Sequence, residues 1–91
     1  MTGAEIRAIR DQLHLTQVQL AQLLGVHPLT VHKWERDLLV PTAHQQAMLV
    51  SFGKASASRK GIGDEVAQAL VAAGVIMALF LLLEAALGKK K

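Results

Sequence analysis

The chain has 91 residues, of which 52% are hydrophobic and 19% are charged, with no cysteine and a formal net charge of +3. This length allows one small domain plus an appendage, which is too short for most self-contained enzymes. Without cysteine, disulfides and thiolate chemistry are excluded. The net positive charge lies within residues 1–60, because the carboxylates after residue 60 balance the three terminal lysines.

The N-terminus carries the signals of a first helix. Thr2 and Glu5 have the spacing of a capping box, in which each residue satisfies a free backbone N–H of the helix start. Ile6, Ile9 and Leu13 then recur on one helical face. This pattern predicts a helix whose apolar stripe faces a core.

Residues 15–36, LTQVQLAQLLGVHPLTVHKWER, carry the most specific pattern of the chain. Thr16 and Gln19 form a second capping box, and Gly25 supplies a residue that adopts a tight turn easily. The sequence therefore predicts a helix over residues 17–24 that ends in a turn. Its inward positions are apolar residues at helical spacing, Leu20, Leu23 and Leu24, with small Ala21 allowing close helix approach.

A further helix is predicted over residues 28–36. His27 precedes it as a capping residue, and Pro28 is well placed in its first turn. Val31 and Trp34 lie three residues apart and are expected to turn inward. Two short helices joined by a tight turn make a helix-turn-helix.

The segments LTQVQLAQLLGV and TVHKWE resemble the Cro/repressor (Xre-like) family of bacterial and phage DNA-binding domains, over about residues 5–52. The resemblance implies a bundle of four or five short helices, a homodimer, double-stranded DNA as partner and a cytoplasmic location. It also implies an ion pair between Arg10 and Glu35. His14 and Asp37 stand where the family commonly has glycine, and both residue types tolerate the left-handed region.

The DNA-binding residues follow from the docking geometry of this motif, whose second helix lies in the major groove. Lys33 is the strongest candidate for a base contact, since guanine N7 and O6 accept hydrogen bonds from lysine. Gln17 matches a family glutamine that contacts DNA. The predicted DNA-binding residues are Gln17, His27, Pro28, Leu29, Thr30, His32, Lys33 and Arg36.

Two of these residues depart from the family. Pro28 and Leu29 occupy positions where the family often has polar, base-reading side chains, and neither forms a bidentate bond to a base edge. This departure leaves a second hypothesis open, namely a membrane or protein-interaction adaptor, or an antitoxin-like protein, that retains the helix-turn-helix fold. No catalytic, metal or cofactor site is predicted, and an enzymatic function is not expected.

The middle of the chain is expected to close the DNA-binding domain, residues 1–53. Leu38, Leu39 and Val40 are expected to fold back on the core, and Thr42 with Gln45 opens a fourth helix. Residues 54–63, KASASRKGIG, are small, polar and basic, and they are interpreted as a linker.

Residues 64–88 are predicted to form one long apolar helix, followed by a basic tail at 89–91. The predicted fold is thus all-α, a four- to five-helix bundle followed by a long C-terminal helix. Two interpretations of this helix remain open. In one, residues 66–87 anchor the cytoplasmic domain in the cytoplasmic membrane. In the other, the helix dimerises through a heptad-like stripe, Val66, Ala69, Ala73, Ile76, Phe80, Leu83 and Leu87.

Overall fold

The computed structural model of the protein describes residues 1–88. These residues form six helices and no strand, so the described part of the chain is all-α, as predicted. The helices are α1 (Gly3–Gln12), α2 (Gln17–Leu24), α3 (Pro28–Glu35), α4 (Ala43–Ser58), α5 (Ile62–Ala72) and α6 (Val75–Ala86).

Three of the first four helices begin at a threonine with a complete capping box, which confirms the predicted starts of α1, α2 and α4. The threonine hydroxyl oxygen accepts from the backbone N–H three residues later, at 3.1 Å in α1, 3.1 Å in α2 and 3.2 Å in α4. The side chain at that third position accepts from the threonine N–H in return. The pairs are Thr2 with Glu5, Thr16 with Gln19, and Thr42 with Gln45.

The apolar stripes of these helices meet in one core. Val31 and Trp34 of α3 are 0% and 1% exposed, so both turn inward as predicted. The expectation for the segment after α3 was wrong, because Leu38 and Val40 are 67% and 73% exposed. Pro41 is the buried residue of this connection. The chain reaches the core there through the ring of Pro41, and the three apolar residues before it lie at the surface.

The predicted linker over residues 54–63 is largely helical. Helix α4 continues to Ser58, and its Ala55 is fully buried. Helix α5 then starts at Ile62, which is 1% exposed. The following Gly63 packs so closely on the backbone of Leu13 that a Cβ there would overlap the Leu13 carbonyl group. The glycines that indicated a linker therefore have other roles. Gly63 permits close packing, and Gly61 ends the three-residue turn between α4 and α5.

The predicted single helix over residues 64–88 is also wrong, because the chain turns back at Gly74. This residue has φ 96° and ψ 177°, a conformation that is essentially restricted to glycine. Helix α5 ends before it and α6 begins after it, so the two helices form a hairpin. Folding back lets an apolar segment bury part of its surface, which a single projecting helix in so small a protein would leave exposed.

Helix α6 packs between α4 and α5 and also contacts α2. Its inward face consists of Ala78, Leu82 and Ala85, which belong to the same core as α1 to α4. Within residues 1–88, no helix has both the length and the apolar character needed to cross a membrane. The predicted basic tail, 89–91, lies outside the described residues.

Candidate nucleic-acid interface

Helices α2 and α3 pack against each other across the predicted tight turn. Gly25 ends α2 in the left-handed region with φ 69°, where glycine carries no steric cost. The N–H of Val26 then donates to the carbonyl of Ala21 at 3.0 Å, which closes the helix end. Ala21 is 1% exposed, so its small side chain is enclosed as α2 and α3 come together.

The start of α3 is organised by His27. Its Nδ1 accepts a hydrogen bond from the N–H of Leu29 at 3.1 Å, which confirms the predicted cap. Pro28 takes the first helical position, where its missing N–H costs nothing. The helix ends at Glu35, one residue earlier than predicted, and Arg36 is its C-terminal cap. The bounds of α3 therefore place its polar residues in a defined helical register.

The outward face of α3 carries the predicted DNA-binding residues as one stripe. The exposed residues 29, 32, 33 and 36 have the i, i+3, i+4, i+7 spacing of a single helical face. Their side chains combine one apolar contact with potential donors and positive charge, in the order Leu29, His32, Lys33 and Arg36. Pro28 and Thr30 are partly buried at the edge of this stripe, and His27 is exposed at the helix start.

The only acidic residue of α3, Glu35, is turned away from this stripe. Its side chain is fully buried, and its Oε2 accepts from Arg10 Nε at 2.6 Å. Its Oε1 accepts from Arg10 Nη2 at 2.9 Å and from Gln17 Nε2 at 3.1 Å. Arg7 Nε lies 3.4 Å from the same oxygen. The ion pair that the family resemblance implied is therefore present, as a buried bidentate pair.

Burial raises the pKa of the Glu35 carboxyl, but the hydrogen bonds from Arg10 and Gln17 and the charge of Arg10 outweigh it. The net pKa of Glu35 is below its ordinary value, so the group is ionised at neutral pH. The hydrogen bond to Glu35 in turn raises the pKa of Arg10. The negative charge of α3 is thus neutralised inside the fold, and its outward face keeps only neutral and basic groups.

Gln17 has a structural role that the sequence did not reveal. Its side-chain nitrogen donates to Glu35, so Gln17 joins the start of α2 to the end of α3. The side chain is partly buried, and its oxygen has no hydrogen to offer. The donors that remain for a phosphate at this helix start are the second N–H of the Gln17 amide and the backbone N–H groups that lack intrahelical partners in the first turn.

The two residues in place of glycine do adopt left-handed conformations, with φ 55° for His14 and φ 59° for Asp37. Asp37 also accepts a hydrogen bond from the N–H of Gly3 at 2.8 Å through its Oδ1. This bond ties the end of α3 to the start of α1. Its partners are 34 residues apart, so no local pattern in the sequence indicated it.

This geometry, two short helices across a glycine turn with a basic outward face on the second, defines a helix-turn-helix DNA-binding domain. Residues 6–44 match a family model described as Helix-turn-helix. The match supports the resemblance to the Xre/Cro-like helix-turn-helix family over these residues, and it covers α2, α3 and most of α1. No curated protein and no solved structure matched the chain.

The rest of the described surface holds no group of three or more histidine and carboxylate side chains placed to bind a metal ion. His14 and Asp64 approach each other at 3.7 Å, but both side chains are largely exposed to solvent. The family match and the α3 surface are therefore the observations that bear on function.

Proposed function

We propose that the protein is a sequence-specific transcriptional regulator of the Xre type that places α3 in the major groove of DNA. One observation carries this proposal. The exposed stripe of α3 contains Lys33 and Arg36, whereas the only acid of the helix is buried and paired. A helix with this distribution presents positive charge to phosphates and donors to base edges without a repelling carboxylate.

The residues divide by the contacts that their chemistry permits. Lys33 lies mid-helix and donates to guanine N7 and O6, while Leu29 packs on a thymine methyl group. His32 and Thr30 contact a base or a phosphate. Arg36 and the backbone N–H groups at the start of α2, beside Gln17, bind phosphates and set the register on the duplex. Pro28 and His27 position the start of α3.

In this proposal, the protein acts in the cytoplasm as a homodimer that binds an operator with two-fold symmetry. One α3 helix contacts few phosphates, and the affinity of such a binder grows with the number of phosphates that it neutralises. A symmetric dimer doubles that number. Its half-sites are expected about one helical turn apart, roughly 10 bp centre to centre.

The test compares Lys33→Ala with Lys60→Ala, which removes an exposed lysine outside the matched segment. Affinity for DNA selected by the wild-type chain is measured by fluorescence anisotropy at several salt concentrations. Lys33→Ala is expected to weaken binding by about 1–3 kcal/mol and to relax the base preference at one position. Lys60→Ala is expected to change affinity much less. Equal losses in both variants, or DNA binding without salt dependence, would contradict the proposal.

A second function, a protein-interaction adaptor or antitoxin-like protein on the same fold, is favoured by a different observation. Leu29, Leu38 and Val40 are 51%, 67% and 73% exposed on α3 and the segment after it. Exposed patches of apolar side chains mark sites where proteins meet, and they add nothing to phosphate binding. Stable binding of one partner that Val40→Glu abolishes, in a chain without sequence-selective DNA binding, would support this function over the first.

A further inference from the structure

Helix α3 begins with a different kind of cap from the other three of the first four helices. Helices α1, α2 and α4 each begin at a threonine with a complete capping box, in which two side chains satisfy two backbone N–H groups. Helix α3 begins at His27, whose imidazole supplies a single acceptor. With eight residues, α3 is only about two turns long. The order of its first turn therefore depends strongly on this one cap.

One backbone N–H in the first turn of α3 is satisfied by the imidazole alone. Pro28 has no N–H, and the N–H of Thr30 donates to the carbonyl of His27 at 2.9 Å. The N–H of Leu29 donates to Nδ1 of His27 at 3.1 Å. Within residues 1–88, the Leu29 N–H has no other acceptor. The cap of α3 therefore rests on one atom, the Nδ1 of His27.

A protonated imidazole cannot make this hydrogen bond. An Nδ1 that accepts carries no proton, so the capping ring is neutral and holds its proton on Nε2. Protonation adds a hydrogen to Nδ1, which then directs a donor at the N–H of Leu29. It also places a positive charge at the positive end of the α3 dipole. Both effects remove the cap, and imidazole groups take up this proton between about pH 8 and pH 5.

The surroundings of His27 do not compensate this positive charge. Helix α2 has no titratable side chain, and the ion pairs between α1 and α3 lie at Glu35, at the opposite end of α3. In the described part of the chain, His27 takes part in no ion pair. An added proton therefore removes the cap without gaining a counter-charge. The charged and titratable side chains on α1 and α3 are Glu5, Arg7, Arg10, Asp11, His32, Lys33 and Glu35.

We infer that the neutral imidazole of His27 is a pH-sensitive cap that holds the DNA-contacting helix in its binding conformation. Leu29 and Thr30 lie in the capped turn and are among the proposed DNA contacts, so the cap acts on DNA binding only if the proposed function holds. Protonation loosens this turn, and binding then has to restore its order. DNA affinity thus contains a contribution that is complete when His27 is neutral and is lost in acid. His27 is a positioning residue, because it acts through Leu29.

The test compares how strongly pH changes the DNA affinity of the wild-type chain and of His27→Asn. Asparagine is a strong capping residue that does not titrate, so this variant keeps an acceptor at every pH. Fluorescence anisotropy with DNA selected by the wild-type chain gives each affinity at about pH 8 and about pH 5.5, on either side of the imidazole titration. The ratio of the affinity at the higher pH to that at the lower pH is expected to be about fivefold larger in wild type than in His27→Asn, the equilibrium equivalent of one lost cap.

His44→Asn is the matched control. It makes the same substitution at an exposed histidine of α4, a helix that is capped by Thr42 instead. It is expected to keep the wild-type ratio. The pKa of Glu35 is below its ordinary value, so the Glu35 network stays ionised at both pH values. Equal ratios in wild type and His27→Asn would overturn the inference. So would a smaller ratio in wild type, because the His27 cation would then bind a phosphate.

A second measurement needs no DNA. In an NMR titration of the free full-length chain, the amide resonance of Leu29 is expected to shift as His27 is protonated, because the N–H loses its acceptor. The shift should persist in His44→Asn and be absent in His27→Asn. A Leu29 amide in the wild-type chain that does not respond to the protonation of His27 would overturn the inference.

The two measurements distinguish a failure of the cap from a failure of the proposed function. If the Leu29 resonance follows His27 but no DNA is bound selectively, the pH-sensitive cap stands and the regulator does not. If Lys33→Ala changes the base preference but the pH ratios of wild type and His27→Asn are equal, the regulator stands and the pH-sensitive cap does not.

Discussion

The first three helices and the C-terminal hairpin are specified in different ways. Helices α1 to α3 each begin with a side-chain cap and are tied together by Glu35, with its hydrogen bonds to Arg10 and Gln17. Helices α5 and α6 begin at Gly61 and Gly74 with no side-chain cap. The hairpin is held by apolar packing, one close backbone approach and a half-exposed ion pair between Arg59 and Glu65 at its start. Local polar signals thus define one region, and tertiary packing defines the other.

The two regions share one core but have different structural requirements. A DNA-reading helix has to hold its side chains in a fixed register, and a buried network with every partner satisfied provides that rigidity. The hairpin needs only to cover the core. Substitutions in the two regions should therefore lower the free energy of unfolding for different physical reasons.

The largest effect is expected in the polar network of the first region. Arg10→Met leaves the buried carboxylate of Glu35 without its bidentate partner, which should lower the free energy of unfolding by about 3–5 kcal/mol. Arg7→Met removes a longer contact, at 3.4 Å, whose side chain is 57% exposed. That control should cost at most about 1 kcal/mol. Urea unfolding of both variants measures the difference, and equal losses would show that the pair is not the centre of the network.

The next effect is expected where the hairpin meets α1. Gly63→Ala introduces a Cβ that overlaps the carbonyl of Leu13, so the start of α5 has to move. The cost should be about 3 kcal/mol, because backbone cannot give way as a side chain does. Gly53→Ala is the matched control, since a Cβ there makes ordinary contact with Ile9 at 3.5 Å. Stability like that of the control would mean that the hairpin does not pack closely on α1.

The smallest effect is expected from acid. The pKa of Glu35 is lowered in the folded state, so its contribution is complete above the unfolded pKa of about 4.3 and is lost as the pH falls through the folded value. The stability difference between wild type and Glu35→Gln should therefore narrow below about pH 4. Thermal unfolding between pH 3 and pH 7 measures it. A difference that stays constant with pH would contradict the ionised state of Glu35.

The contrast between local signals and tertiary packing explains which features could be predicted from the sequence. The capping boxes, the Gly25 turn and the inward Val31 and Trp34 were predictable because each depends on residues within a few positions of one another. The DNA-contacting stripe followed from the same register, although its contacts with DNA stay predictions. The bond from Gly3 to Asp37 was not predictable, because its partners meet only after folding.

The hairpin was mispredicted for a physical reason. Glycine permits both flexible and tightly packed backbone, and the local sequence does not distinguish the two. Gly63 was assigned to a linker, yet it fits against Leu13. Gly74 was placed inside a helix, yet it ends one. The burial of Ala78, Leu82 and Ala85 favours the turn, and that packing is not visible in the residues around Gly74.

Selection from a random-sequence DNA library by the full chain tests the central claim most directly. Sequencing of the bound fraction is expected to reveal an enriched two-fold site with half-sites roughly 10 bp apart. Lys33→Ala should change the enriched bases at one position of each half-site. Bound DNA with the same composition as the starting library would contradict the claim that α3 reads sequence.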